Sequence, residues 1–137
     1  MTLSAHQAFD QAGEGESTIG WKVKRLQRRE LLLQFPPRFS LVVADHVTLR
    51  TKADPEAALP EEELGEVVGI ADDGKGVEAL IVSIAGTTTR PDGGTYHITW
   101  SLEPGREAVE SNDVIREQPW RMIDLPMPVR LKPARWP

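Results

Sequence analysis

The chain has 137 residues, no cysteine, 39% hydrophobic and 27% charged residues, and a formal net charge of −5. That is enough chain for one domain with its own core, in the composition range of water-soluble globular proteins. Lack of cysteine excludes disulfides, thiolate nucleophiles and Cys-ligated zinc, and the negative balance argues against a broad grip on double-stranded DNA. No apolar run approaches the length of a membrane span and no basic-then-apolar leader is visible, so a cytoplasmic domain without a membrane partner is expected.

Residues 1–18 are polar and interrupted by Gly13 and Gly15, which predicts a flexible tail ahead of a single domain over 19–137. His6 lies in that tail without a threonine two residues on and reads as incidental. Ile19 to Lys24 alternates apolar and charged residues and predicts a first strand. Gln27 to Phe35 predicts a helix, with Leu31, Leu32 and Phe35 on its buried face and Pro36-Pro37 ending it.

Ser40 to Thr51 reads as strand, with Val47 and Leu49 on one parity and His46 and Thr48 on the other. Packing of Val47 and Leu49 into the core turns His46 and Thr48 to the opposite face. Asp45 precedes His46, so strand alternation points its carboxylate away from the imidazole. Residues 53–63 form an acidic, proline-flanked loop. Leu64 to Ile70 and Val77 to Ile84 read as strands joined by the turn Asp72-Asp73-Gly74-Lys75-Gly76, and burial on both faces of the second marks a central strand. Gly74 and Gly76 make no phosphate loop, because no Gly-Lys-Ser/Thr follows and no helix opens after them.

Thr87 to Gly94 is a loop carrying Arg90, which on the sequence alone reads as an exposed loop arginine. Thr95 to Leu102 reads as a strand with Thr95, His97, Thr99 and Ser101 on one face and Tyr96, Ile98, Trp100 and Leu102 on the other. So polar a face is expected to be solvated or to line a pocket. Ser111-Asn112-Asp113 precedes an apolar pair and fits a helix start. Trp120, Met122, Ile123 and Leu125 give another apolar strip, and the proline-punctuated residues 126–137 predict an edge strand. Trp21, Trp100, Trp120 and Trp136 read as core. Basic residues gather at Lys22, Lys24, Arg25, Arg28 and Arg29 and again at Arg121, Arg130, Lys132 and Arg135. Such a rim on an acidic body suits a small anion or a short RNA end, and equally a solvated face.

Two stretches carry the chemistry: Asp45-His46-Val47-Thr48-Leu49 and Tyr96-His97-Ile98-Thr99-Trp100. Each sets an imidazole and a hydroxyl side by side on one strand face. If the strands are neighbours, His46, Thr48, His97 and Thr99 converge, two imidazoles for acid–base work and two hydroxyls for an oxyanion. With Phe35-Pro36-Pro37 upstream and Ser111-Asn112 downstream, the chain from about residue 20 to about residue 120 resembles the two-histidine phosphoesterase superfamily. Within it, the chain is most similar to the cyclic phosphodiesterase domain of fungal-type tRNA ligases.

The resemblance implies an α+β fold dominated by antiparallel sheet, with few helices and two His-x-Thr strands lining a central cleft. It implies hydrolysis of the 2′,3′-cyclic phosphate of a nucleotide or RNA end to a monoester, usually the 2′-phosphate, with neither metal nor cofactor. His97 would be the general base and His46 the acid, or the reverse. Thr48 and Thr99 would donate to the non-bridging oxygens, while Arg90, Ser101, Ser111 and Asn112 would face substrate. The chain is short for a superfamily that commonly builds two lobes. Other readings are a binding module that holds a nucleotide or RNA end without turnover, a metal site from His46, His97 and Asp92, and a structural or interaction domain. The sequence leaves the oligomeric state open.

Overall fold

A computed structural model describes residues 17–137. His6 and nearly all of the expected tail lie outside them, while Ser17 and Thr18, assigned to that tail, already belong to the first strand. The elements in chain order are β1 (Ser17–Val23), α1 (Arg25–Gln34), β2 (Leu41–Val42), β3 (His46–Ala53), β4 (Leu64–Asp72), β5 (Val77–Ile84), β6 (His97–Leu102), α2 (Glu110–Glu117) and β7 (Arg121–Trp136). Every strand pairing is antiparallel, in the order β2-β6-β3-β1-β7-β4-β5, and a further β5–β6 pairing closes six of the strands into a barrel-like ring. Closure gives every ring strand a partner on each side over at least part of its length, so none is a free edge throughout. The fold is therefore α+β and sheet-dominated, as the sequence implies.

All six ring strands turn one face onto a common interior. Trp21, Val47, Val67, Leu80, Val82, Ile98, Trp100, Val129 and Leu131 form a single buried cluster there. Burying one such aliphatic side chain is worth roughly 1.5–3 kcal/mol, which fixes strand register because a one-residue slip would turn the whole set outward. Leu31 of α1 joins the same cluster, so that helix closes one end of the ring, and the Trp100 indole N–H donates to the carbonyl of Phe35 just past its last turn. A second cluster sets Ala71, Ala79 and Ile81 against Val114 and Ile115, which places α2 on the outer side of the ring. Among the described residues no helix is long and apolar enough to cross a membrane.

Three expectations change. The predicted strand over 40–51 is broken: after β2, Ala44 adopts a left-handed backbone (φ 44°), and β3 starts afresh at His46. The residues past Pro126 do not form an edge strand but belong to β7, which pairs with β4 over 121–122 and 127–130 and with β1 over 131–136. Pro128 and Pro133 fit because each paired stretch is bonded on one side only, and Pro126 falls in the excursion 123–126, which has no partner in the register. Trp21 and Trp100 are core, but Trp136 lies outside the barrel; of the apolar strip, Trp120 and Ile123 pack against the buried clusters while Met122 and Leu125 are exposed.

Candidate functional site

The two His-x-Thr strands are neighbours. β3 and β6 pair at Val47↔Ile98, and both of those side chains point into the barrel. Their neighbours along each strand, His46 and Thr48 on one and His97 and Thr99 on the other, therefore occupy the same outer face. Continuing the register by one residue away from Ala44 sets Thr48 across from His97. His46 lies close enough to His97 for its charge to act on that imidazole.

The break at Ala44 shapes one half of the site. Between the Ala44 N–H bond to the Thr99 carbonyl and the Val47↔Ile98 pair, β6 advances one residue while the other strand advances three. Asp45 and His46 are the surplus, a bulge. A non-glycine residue in the left-handed region is strained, and Arg28 of α1 clamps it by donating to the carbonyls of Ala44 (2.7 Å) and Val43 (3.3 Å). The bulge releases Asp45 from alternation. Contrary to the expectation that it would point away, its Oδ2 lies 3.0 Å from His46 Nδ1 and accepts from Lys22 Nζ at 2.6 Å. The bond to His46, with the nearby Lys22 ammonium, holds the Asp45 carboxyl well below the usual carboxylate range.

His97 has a different setting. It is only 9% exposed, and its Nδ1 sits 2.8 Å from the Thr95 carbonyl. A carbonyl only accepts, so Nδ1 carries the proton and Nε2 is left with its lone pair. Burial pushes the His97 pKa down from 6.5 to about 4, against the Thr95 bond, with Arg90 and His46 adding like-charge repulsion. This imidazole is neutral at pH 7. Both histidines are thus held through Nδ1, one by a carboxylate and one by a carbonyl.

The remaining hydroxyls are internal. α2 and the turn before it cover the outer face of β6, so most of the polar face expected to be solvated or to line a pocket is enclosed. Thr99 Oγ1 lies 3.0 Å from Ser111 Oγ and donates to the Ala108 carbonyl at 3.3 Å. Ser101 is fully buried, donating to Glu78 Oε1 at 2.6 Å and accepting from the Phe39 N–H. Ser111, also fully buried, faces Thr99. Thr48 is half-buried on the shared face. Arg90 is tied within its own loop through two bonds to Asp92 (3.0 and 3.1 Å), and with Asn112 it lines a cavity between that loop and α2. The Asp92 carboxylate is committed to Arg90 and the Gly94 N–H. No group of three metal-ligating side chains occurs among the described residues.

Sequence reasoning missed Asp45, Lys22 and Trp136 as neighbours of His46. The Trp136 ring centroid is 4.9 Å from that of His46, and Lys22 Nζ lies 4.6 Å from the centroid of the same indole. Lys22 was legible as an outward residue of the first predicted strand, but its pairing with His46 depends on which strands meet.

No family model, no curated protein and no solved structure matches the chain.

Proposed function

We propose that this protein is a phosphodiesterase that opens 2′,3′-cyclic phosphates of nucleotides or RNA ends by two-histidine acid–base catalysis, on a two-histidine phosphoesterase-like arrangement of strands. The observation that carries the reading is the pair of Nδ1-anchored imidazoles sharing one outer face of adjacent strands. His97, neutral with Nε2 unprotonated, takes a proton from water as the water oxygen bonds to phosphorus. The bond from phosphorus to the ribose 3′-oxygen breaks, and His46 passes its Nε2 proton to that oxygen, leaving a 2′-phosphate. Asp45 supplies the counter-charge while His46 carries two protons, as a carboxylate does behind a catalytic imidazole. Thr48 donates to a non-bridging oxygen where charge builds up. Thr99, its proton engaged by Ala108, instead ties α2 to β6 beneath the site. The displacement at phosphorus is thus served by two proton transfers, both assigned to the imidazoles, and the proposed step invokes no metal.

One observation favours a second reading. With His97 nearly enclosed and the Thr99 and Ser101 hydroxyls satisfied internally, the same face would also serve a non-catalytic module for a nucleotide or RNA terminus. The test is hydrolysis of 2′,3′-cyclic nucleotides and a cyclic-phosphate-ended RNA oligomer in EDTA by wild type, His46→Ala and His97→Ala. Turnover that survives EDTA and falls about 10²- to 10⁴-fold in each variant is expected. Ligand binding without turnover by wild type would leave the binding module.

A further inference from the structure

Beside the two histidines, the outward residues of β3, β1 and β7 stand in rows. His46 is opposite Lys22, and Lys22 is opposite Lys132. In the next row Thr48 is opposite Gly20 and Gly20 opposite Ala134, and in the one after that Thr18 is opposite Trp136. The middle row therefore carries no side chain on β1 and a single methyl on β7. Gly20 has no alternative there, because a β-carbon would collide with the Val47 carbonyl oxygen.

Trp136 nevertheless reaches the Lys22 row. Its ring lies 4.9 Å from the His46 imidazole, centroid to centroid, with a 57° tilt, and 4.6 Å from Lys22 Nζ. An indole that begins opposite Thr18 and ends against His46 and Lys22 spans the Gly20 row, where β1 offers no side chain to stand in its way. That gap lets the ring reach a histidine two rows on.

We infer that Trp136 is a positioning residue for His46, holding the imidazole on Asp45 so that Nε2 is presented to the shared face. One hydrogen bond at Nδ1 leaves a half-exposed ring free to swing about that bond and to exchange rotamers. The indole blocks that swing from the side. Lys22 links the two supports, since its ammonium stands over the indole and donates to the Asp45 carboxylate that anchors His46. A displacement of about 1 Å in a reacting group is worth about 10²-fold in rate. The catalytic consequence rests on the two-histidine reading; the confinement of the ring does not.

The experiment records long-range ¹H–¹⁵N correlations of the His46 ring nitrogens together with kcat and KM for a 2′,3′-cyclic nucleotide. The variants are Trp136→Phe, Trp136→Leu and Trp136→Ala, the leucine variant retaining apolar bulk should alanine impair folding. Wild type and Trp136→Phe are expected to show neutral His46 protonated at Nδ1. The leucine and alanine variants are expected to shift towards the Nε2-protonated form of a free imidazole. Their kcat is expected to fall about 10- to 10²-fold at nearly constant KM, with most of it retained by phenylalanine. An unchanged tautomer in the leucine and alanine variants overturns the inference, as does a loss carried by KM alone, which would make Trp136 a ligand-binding wall. Absence of turnover in every protein, wild type included, would sink the two-histidine reading while the tautomer still decides the role of Trp136.

Discussion

The two histidines share one motif but sit in opposite environments, and in the proposed reaction those environments would make His97 the base and His46 the acid. His97 is buried, and burial lowers its pKa to about 4. The unfolded chain binds that proton nearer pH 6.5, so unfolding takes up a proton at intermediate pH. The contribution of His97 to stability is complete above about pH 6.5 and is lost as pH falls towards 4, by roughly 3 kcal/mol across the whole interval. Urea unfolding followed from pH 7.5 to 4.5 is expected to show this decline, and His97→Leu to lack its share of it. For the same reason the acid limb of kcat/KM set by the base is expected near pH 4 rather than 6.5, and a limb at 6.5 would exclude His97 from that role. Asp45 belongs to the same scale. Asp45→Asn keeps the shape and removes the charge behind His46, and is expected to slow turnover roughly 10- to 10²-fold, part of what the acid–base step is worth.

At the scale of elements, α2 is held to β6 by a buried pair of hydroxyls. Removing Thr99 leaves the buried Ser111 hydroxyl without its partner, which costs about 1–3 kcal/mol, whereas removing Ser111 leaves Thr99 still bonded to Ala108. Thr99→Val should destabilise by that amount in chemical denaturation and Ser111→Ala by less, with the double variant below their sum. The break between β2 and β3 makes a converse prediction. Ala44→Gly relieves a left-handed alanine and is expected to be neutral or stabilising by about 1 kcal/mol, without loss of the Asp45–His46 contact. This same break explains what the sequence hid. Strand identity, the outward parity of His46 and Thr48 and the helix around Leu31 follow from apolar periodicity and were legible. The two-residue surplus at Asp45 and His46 was not, because nothing in Val43-Ala44-Asp45 announces a left-handed alanine. Strict alternation then sent Asp45 to the wrong face. The polar face of β6 was legible as a face, but its partners were not: nothing local shows that Ser111, Ala108, Glu78 and Phe39 satisfy the Thr99 and Ser101 hydroxyls.

At the scale of the molecule, a ring closed by β5 and β6 makes the site a product of long-range pairing. Lys22, Asp45, His97 and Trp136 meet only after β1, β3, β6 and β7 have found one another, and no local signal in the chain specifies that order. Such topologies fold slowly, on the order of milliseconds to seconds, because long loops close before their contacts stabilise them. With one interior shared by all six ring strands, tryptophan fluorescence and far-ultraviolet circular dichroism are expected to report one coincident unfolding transition. Separate transitions would show α2 or β7 to be independent of the ring.

In the proposed reaction His46 and His97 work as one acid–base unit. ³¹P NMR of 2′,3′-cyclic nucleotide opening in EDTA by wild type, His46→Gln, His97→Gln and the double variant tests this. Residues that act as a unit are strongly non-additive. A 2′-phosphate product and a double variant about as slow as either single one are expected. Full turnover by either single variant, or losses that simply multiply in the double, would contradict that proposal.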